Sequence, residues 1–328
     1  MSSPPQKVLV TGASGFIGGR LRDRLSADGV ASSGLDFQTD LKRGIAAGDI
    51  STPSEGAWAS AFTGHDTVVH TAAVVSNAAS AEVSWRTNVL GTRNVLDAAV
   101  AAGARRFVHL SSVRAFGDSD FPDGVTESHP VRPDGNAYVD TKIASEQVVL
   151  QAHAAGEIDC VILRPGDVYG PGSRPWTVLP VEAIRTNRFV LPARGRGIFS
   201  PIYVDNLIDA ILLACEREEA SGQVLTVTDG IGVTCAEFFG HYSRMLGKRP
   251  IPTVPTFAAI GVAALPEAAS RIGGKRTEAN RSTMRYLARP GTYSSEKARR
   301  VLGFEPRVSL EQGMKETETW LREHGLLR

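Results

Sequence analysis

The sequence predicts an α/β protein built on a doubly wound parallel sheet, with a smaller, mostly helical second domain. Three observations carry this reading. Short β-rich apolar runs alternate with longer segments of helical apolar spacing through the first half of the chain, a pattern that buries a parallel sheet between two helical layers. A glycine-rich turn separates the first run from the first helix. Beyond Pro165 the texture changes: prolines and glycines crowd the chain as far as Pro201, and from Thr234 onward the pattern is mostly helical.

Lys7 to Val10 is the first strand, and Phe16, Ile17, Leu21 and Leu25 then recur at helical spacing as far as Ser26. A weaker second strand ends at Leu35-Asp36, and Asp66 to His70 forms another. Trp85 to Gly103 reads as one helix through Val89, Val95, Leu96 and Ala99, with Gly103 as its stop signal. Arg106 to Ser111 is a strand, Tyr138 to Ala155 a long helix, and Ile158 to Arg164 a strand closed by Pro165. Helices are expected near Val178 to Asn187 and over Val204 to Arg217, followed by a strand at Val224 to Val227. The expected division is a first domain of residues 1–165 plus about 203–228, and a second of residues 166–202 plus 229–328.

Composition bounds the function. A chain of 328 residues accommodates two domains. With 36 basic against 35 acidic residues, the charge balance lacks the excess that drives phosphate neutralisation, which argues against a nucleic-acid binder. Cys160, Cys215 and Cys235 form no C-x-x-C pair and no disulfide framework, so a reducing, cytoplasmic compartment is expected. The polar start of the chain has no apolar signal core. The apolar run Thr256 to Pro266 falls short of the ~20 residues that span a bilayer. Within it, Phe257 to Leu265 reads as an ordinary core helix, with a greasy substrate wall or a lid making peripheral membrane contact as the alternative. His65, His70, His109, His129, His153, His241 and His324 show no metal-ligand spacing, so a metal-free site is expected. His70 reads as a local hydrogen-bonding group, Cys160 as a buried inert thiol, and Lys275, Arg276 and Arg281 as solvated surface.

The turn Thr11-Gly12-Ala13-Ser14-Gly15-Phe16-Ile17-Gly18 carries the cofactor signal. Gly12 permits a tight turn, Gly15 lets backbone approach a pyrophosphate, and Gly18 lets the helix pack against the sheet. The helix start then offers free N–H groups to phosphate. Asp36 closes the second strand, where a carboxylate accepts hydrogen bonds from ribose hydroxyls and repels a 2′-phosphate. NAD is therefore expected over NADP, with Lys42 and Arg43 keeping NADP as the alternative. Asp49, in Gly48-Asp49-Ile50, suits the adenine amino group.

Tyr138 and Lys142 stand one helical turn apart on one face. An ammonium beside a phenol lowers the phenol pKa from its usual ~10 and equips Tyr138 as a general base toward an alcohol. Ser111-Ser112 ends its strand at the carboxyl edge, where open α/β sheets bind ligands.

Taken together these motifs resemble the extended short-chain dehydrogenase/reductase family, nearest to its 3β-hydroxysteroid dehydrogenase-like branch, over nearly the whole chain. The resemblance rests on the glycine turn, Asp49-Ile50, His70-Thr71-Ala72-Ala73, Asn88-Val89-x-Gly91-Thr92, Leu110-Ser111-Ser112, Tyr138-x-x-x-Lys142, Arg164-Pro165-Gly166-Asp167-Val168-Tyr169-Gly170 and the tail from Gly291 to Pro306. It implies a Rossmann sheet and NAD held by Gly12, Ser14, Gly15, Phe16, Ile17, Gly18, Asp36, Asp49, Ile50, Thr71, Ala72, Ala73, Asn88, Tyr138, Lys142 and Pro165. It also implies catalysis by Ser112, Tyr138 and Lys142, with Ser111 as the fallback serine and Phe116 in place of the usual tyrosine. A homodimer through the two long helices is a further implication.

Within that family, nucleotide-sugar members usually carry Asn at the position of Asp167, whose charge is expected to repel a diphosphate. They often place an arginine at the position of Phe199, although Arg194 and Arg196 lie nearby in sequence. The expected activity is NAD-dependent hydride transfer between a small-molecule secondary alcohol or ketone, hydroxysteroid-like or otherwise apolar, and nicotinamide. The alternatives are a nucleotide-sugar epimerase or dehydratase and a non-catalytic dinucleotide sensor. The presence of Ser112, Tyr138 and Lys142 speaks against the sensor.

Overall fold

Alternating apolar side chains commit the first strand to two cores at once. Val8 and Val10 point into one layer and Leu9 into the other, all fully buried, as period-2 side chains in a doubly covered sheet must. The protein is described by a computed structural model covering residues 4–53, 57–76, 78–117, 122–273 and 280–327. Lys275 and Arg276 lie outside the described residues.

The chain runs β1 (Lys7–Thr11), α1 (Phe16–Ala27), β2 (Ala31–Asp36), β3 (Ile45–Ala47), β4 (Thr67–His70), α2 (Ala81–Trp85), α3 (Gly91–Ala101), β5 (Arg106–Leu110), α4 (Ala137–Ala154), β6 (Asp159–Pro165) and β7 (Asp167–Tyr169). It continues through α5 (Leu179–Arg185), β8 (Ile198–Phe199), β9 (Pro201–Tyr203), α6 (Val204–Glu216), β10 (Val224–Val227), β11 (Val233–Thr234), α7 (Cys235–Met245), α8 (Thr256–Gly273), α9 (Arg281–Tyr286), α10 (Glu296–Leu302) and α11 (Leu310–Glu323). Seven strands form a parallel sheet in the order β10-β6-β5-β4-β1-β2-β3. Chain order reverses between β1 and β4, so the ligand crevice opens at their carboxyl ends. This is the doubly wound Rossmann architecture that the sequence predicts.

One apolar layer joins Val69 and Val108 to Leu21 of α1, Ile208 and Ile211 of α6 and Leu302 of α10. The other joins Val68, Phe107 and Ile162 to Val95 and Leu96 of α3 and Val149 of α4. A third, aromatic-rich core gathers Tyr169, Phe199, Phe238, Phe239, Tyr286 and Met314 from the later segments.

Three expectations are corrected. The Trp85 to Gly103 helix begins earlier, at Ala81, and is interrupted by a π-helical turn over Arg86–Leu90 before α3 ends at Ala101. Such turns occur frequently at functional sites, and this one carries Asn88. The Pro165 to Pro201 stretch also contains short strands: β7 pairs with β9, and β8 with β11. Finally, the Phe257 run is a surface helix, not a core helix. Ala259 and Ala263 are buried, whereas Phe257 is 79% and Val262 69% exposed. Among the described residues no helix is long and apolar enough to cross a membrane.

Candidate active site

The glycine turn is held by contacts that leave little room for side chains. Gly12 adopts the left-handed conformation, and a Cβ there would lie 2.8 Å from the Ala72 amide nitrogen. A Cβ on Gly18 would sit 2.2 Å from the Gly12 carbonyl oxygen. Gly15 is the N-cap of α1 and supplies no side-chain cap, and no acidic residue occupies the first turn. The helix start thus presents donors and a positive partial charge without an internal anion. Phe16 packs against the third core and Ile17 against the first, which leaves their backbone N–H groups at the helix start.

Asp36 is tied to this turn. Its Oδ2 accepts the Ser14 amide at 2.8 Å and its Oδ1 the Phe37 amide at 2.7 Å. A carboxylate has about four acceptor sites, so capacity remains for ribose hydroxyls. Arg43 pairs with Asp23 at 3.1 Å, which engages one of the two cations that kept NADP in view. Asp49 caps its own turn through Ser51 at 2.9 Å, and the Ile50 carbonyl accepts from Asn94 at 2.8 Å. An uncapped helix start, a turn with no space for side chains and a carboxylate with acceptors to spare fit a dinucleotide.

At the end of β4, the Thr71 hydroxyl donates to the Thr11 carbonyl at 2.7 Å, and Ala72 abuts Gly12; Ala73 continues the same segment. Asn88 acts one step back. It accepts from the Val74 amide at 2.7 Å and donates to the Thr141 hydroxyl at 3.0 Å, fastening this segment to α4. His70 lies beneath, between Thr11 at 2.7 Å and Thr92 at 3.0 Å. Thr92 gives its own proton to the Asn88 carbonyl, so His70 Nε2 is the donor to Thr92 and Nδ1 the acceptor from Thr11. Burial holds this ring neutral, with its pKa lowered to about 3. Pro165 closes β6 at the same sheet edge, in register with Val227.

Two strands over from β1, Ser112 follows β5; its hydroxyl accepts the Arg114 amide at 3.2 Å and neighbours the Tyr138 phenol. Ser111, the fallback, instead donates to Glu146. Tyr138 stands in the first turn of α4, whose N-cap Asn136 accepts the Tyr138 amide at 2.9 Å. Lys142 is buried, and its ammonium donates to the Leu110 carbonyl at 2.7 Å. Burial lowers its pKa to about 8.

Burial pushes the Tyr138 pKa up, the neighbouring Ser112 hydroxyl and the Arg114 guanidinium pull it down, and Asp167 raises it. Helical spacing puts Tyr138 and Lys142 on one face, but the longer side chain ends at the edge of β5.

Asp167 is also corrected. It faces no open diphosphate subsite: it is buried, and accepts from Arg289 at 2.9 Å, from the Ser200 amide at 3.1 Å and from the Tyr286 hydroxyl. The predicted repulsion is therefore absorbed by a buried partner. Phe199 lies wholly in the third core, while Arg194 and Arg196 are exposed and line a surface cavity of about 350 Å³ with Gly197 and Thr256.

Sequence reasoning missed Arg114, Glu146, Tyr286 and Arg289, and it names Arg164 only as part of a motif. Glu146 takes Arg164 in a two-pronged pair at 2.8 and 2.6 Å, and Arg164 lies over the Phe116 ring at 4.7 Å. Glu146 had a local signal, one helical turn beyond Lys142. The others meet only through the fold.

The profile of the NAD dependent epimerase/dehydratase family matches residues 8–227. A ketoreductase of Stigmatella aurantiaca, named for 4-hydroxy-2-methyl-3-oxo-4-farnesyl-3,4-dihydroquinoline-1-oxide, is 33% identical over 94% of this chain and 94% of its own. A 3-beta-hydroxysteroid dehydrogenase of Mycolicibacterium neoaurum is 29% identical over 94% of this chain and 90% of its own. The solved structure of MoeE5 in complex with UDP-glucuronic acid and NAD superposes with a TM-score of 0.76 at 26% identity, covering 97% and 99% of the two chains.

Proposed function

The chain belongs to the NAD dependent epimerase/dehydratase family, and from that premise we propose that it interconverts an apolar secondary alcohol and its ketone, using NAD, through Ser112, Tyr138 and Lys142. The observation that carries the reading is that Ser112, Tyr138 and Lys142 are brought together at the carboxyl edge of the sheet, one strand from the β1/β4 crevice, with the Ser112 hydroxyl beside the Tyr138 phenol and Lys142 anchored on the end of β5. When bound, NAD supplies the hydride acceptor or donor. Tyr138 takes the hydroxyl proton in oxidation and returns it in reduction. Ser112 orients the substrate oxygen by hydrogen bonding. Lys142, anchored on Leu110, holds positive charge beneath the site.

An apolar substrate is supported by Phe199, whose side chain is committed to the core at the position where sugar-nucleotide members often place an arginine, and by the ketone-reducing and hydroxysteroid-oxidising relatives. A second reading, a nucleotide-sugar epimerase or dehydratase, is favoured by the likeness to MoeE5. Incubation with NAD and a panel of cyclic secondary alcohols, alongside UDP-sugars, separates the two. Net NADH from an alcohol supports the first. Isomerised or dehydrated sugar without net NADH overturns it in favour of the second.

The proposed division into residues 1–165 with about 203–228, and 166–202 with 229–328, is supported by the third core, which draws on both later pieces. Exposed Val83, Trp85 and Leu90 along α2 and the π-turn support a homodimer through this helical side. The three buried, free cysteines support a cytoplasmic location.

A further inference from the structure

Glu146 is fully buried, and a carboxylate in a protein core must be matched by partners that offset its lost hydration. It stands one helical turn beyond Lys142 on α4, on the same face. The two side chains reach consecutive residues at the end of β5. The Lys142 ammonium donates to the Leu110 carbonyl at 2.7 Å, and Glu146 Oε1 accepts the Ser111 hydroxyl. The same carboxylate takes Arg164 of β6, whose Nε and Nη2 donate to Oε1 and Oε2 at 2.8 and 2.6 Å. Arg164 is held in turn over the Phe116 ring. Ser111 thus ties the strand end, with Ser112 next in sequence, to the helix that carries Tyr138 and Lys142.

We propose that Glu146 is a positioning residue for Lys142: locked by Ser111 and Arg164, its carboxylate keeps the buried lysine an ammonium at the end of β5. The inference deepens the proposed function and rests on the reading of Ser112, Tyr138 and Lys142 as the reacting site. Lys142 needs such a partner. Burial favours the neutral amine and holds the Lys142 pKa down at about 8, and the Glu146 charge pulls against it. The other titratable groups facing the lysine supply no anion in the resting site. His70 on β4 and His109 on β5 are buried, stacked at 5.4 Å and held neutral by burial. On α4 itself, burial favours the protonated Tyr138 phenol, and Arg164 on β6 is a cation. A neutral lysine would have no charge with which to favour the Tyr138 phenolate, so Glu146 acts on the proposed base through Lys142.

The test is a titration of the lysine ε-carbons by NMR in cofactor-free protein, with Lys142 assigned from the signal missing in Lys142→Met, together with the pH profile of kcat/KM for alcohol oxidation. Two variants that break the same ion pair are expected to move Lys142 in opposite directions. Glu146→Gln removes the anion and leaves the Arg164 cation, so the Lys142 midpoint should fall by about one pH unit, a tenfold loss of ammonium at a fixed pH above it. The high-pH limb of kcat/KM should move down with it. Arg164→Met removes the cation and leaves the anion, so the midpoint should rise. A role confined to packing would disturb the site in the same way in both. If Glu146→Gln does not fold, the double variant with Arg164→Met replaces the pair without leaving a buried charge, and a smaller fall is expected. A midpoint unmoved in Glu146→Gln or in the double variant, or one that moves in the same direction in both single variants, would overturn the proposal. If Tyr138→Phe retains turnover, the reading of the site fails instead, and the lysine midpoints still report on Glu146 independently.

Discussion

The two halves of the crevice are built from different forces. The half proposed to hold the cofactor is backbone and close approach: Gly12 and Gly18 with no space for a Cβ, an uncapped helix start, and one carboxylate bound to two amides. The half proposed to face substrate is buried charge: Glu146 with Arg164, Asp167 with Arg289, and Arg114 beside Tyr138. The first arrangement is local in sequence and tolerates almost no added volume. The second joins residues more than a hundred positions apart in the case of Asp167 and Arg289, and its contribution depends on every partner being present. Ser112 and Tyr138 stand at the seam.

The largest expected effect lies at that seam. Tyr138→Phe removes the hydroxyl and little volume, so the fold and dinucleotide binding should persist while turnover falls by about 10²–10⁴-fold, the usual contribution of a positioned acid–base group. Steady-state assays paired with a cofactor-binding titration check it. Lost binding together with lost turnover would mean that the seam is structural and the two halves are not separable.

This contrast also explains what was legible. The glycine turn, Asp36, Ser112, Tyr138 and Lys142 announce themselves because each stands at a strand end, in a tight turn or at a helix start that the local sequence marks. The parallel, doubly wound sheet likewise follows from alternation of strands and helices, whereas the short edge strand β3 has too little apolar pattern to be read in advance. Asp167 was misread because its partner Arg289 is brought to it only by the packing of α9 against the β6–β7 corner. Helical spacing says that Lys142 shares a face with Tyr138, but not that its ammonium ends at the Leu110 carbonyl. Phe257 was misread because a run rich in alanine gives no apolar contrast between its two faces.

The next effect sharpens the substrate half. Arg289→Met leaves the Asp167 carboxylate buried without its cation and should cost about 3–5 kcal/mol of unfolding free energy. The double variant Arg289→Met with Asp167→Leu should recover much of that loss. Urea unfolding of wild type, both single variants and the double variant closes the cycle. Additive losses would show that the pair is not coupled, and the description of this half as paired charge would fall.

In the cofactor half the matching change is one methyl group. Gly18→Ala would put a Cβ 2.2 Å from the Gly12 carbonyl oxygen, so α1 or the turn must move. Overpacking of this kind costs about 1–3 kcal/mol, and because the turn itself shifts, dinucleotide affinity should fall more than stability does. Calorimetric binding beside thermal unfolding measures both. An unchanged affinity would mean that this turn does not cradle the ligand.

The smallest effect concerns acid, and it arises in the cofactor half. His70 is buried and neutral between Thr11 and Thr92, with its pKa lowered to about 3. Unfolding releases the ring to an ordinary value near 6.5, so below that pH the unfolded chain binds a proton that the folded protein refuses. The stability associated with His70 is thus fully present above pH ~6.5 and drains away as pH falls toward 3, at about 1.4 kcal/mol per pH unit once the unfolded ring is protonated. Total stability is a poor readout, because buried Asp229, raised to about 7, responds with the opposite sign across much of the same window. The difference between wild type and His70→Gln cancels that contribution, since Asp229 is common to both. Unfolding curves at pH 7, 6 and 5 should therefore show the wild-type advantage over His70→Gln shrinking step by step. A difference that stays constant with pH would mean that His70 is not held neutral, and that β1 and β4 are not joined beneath the crevice by the uncharged ring described here.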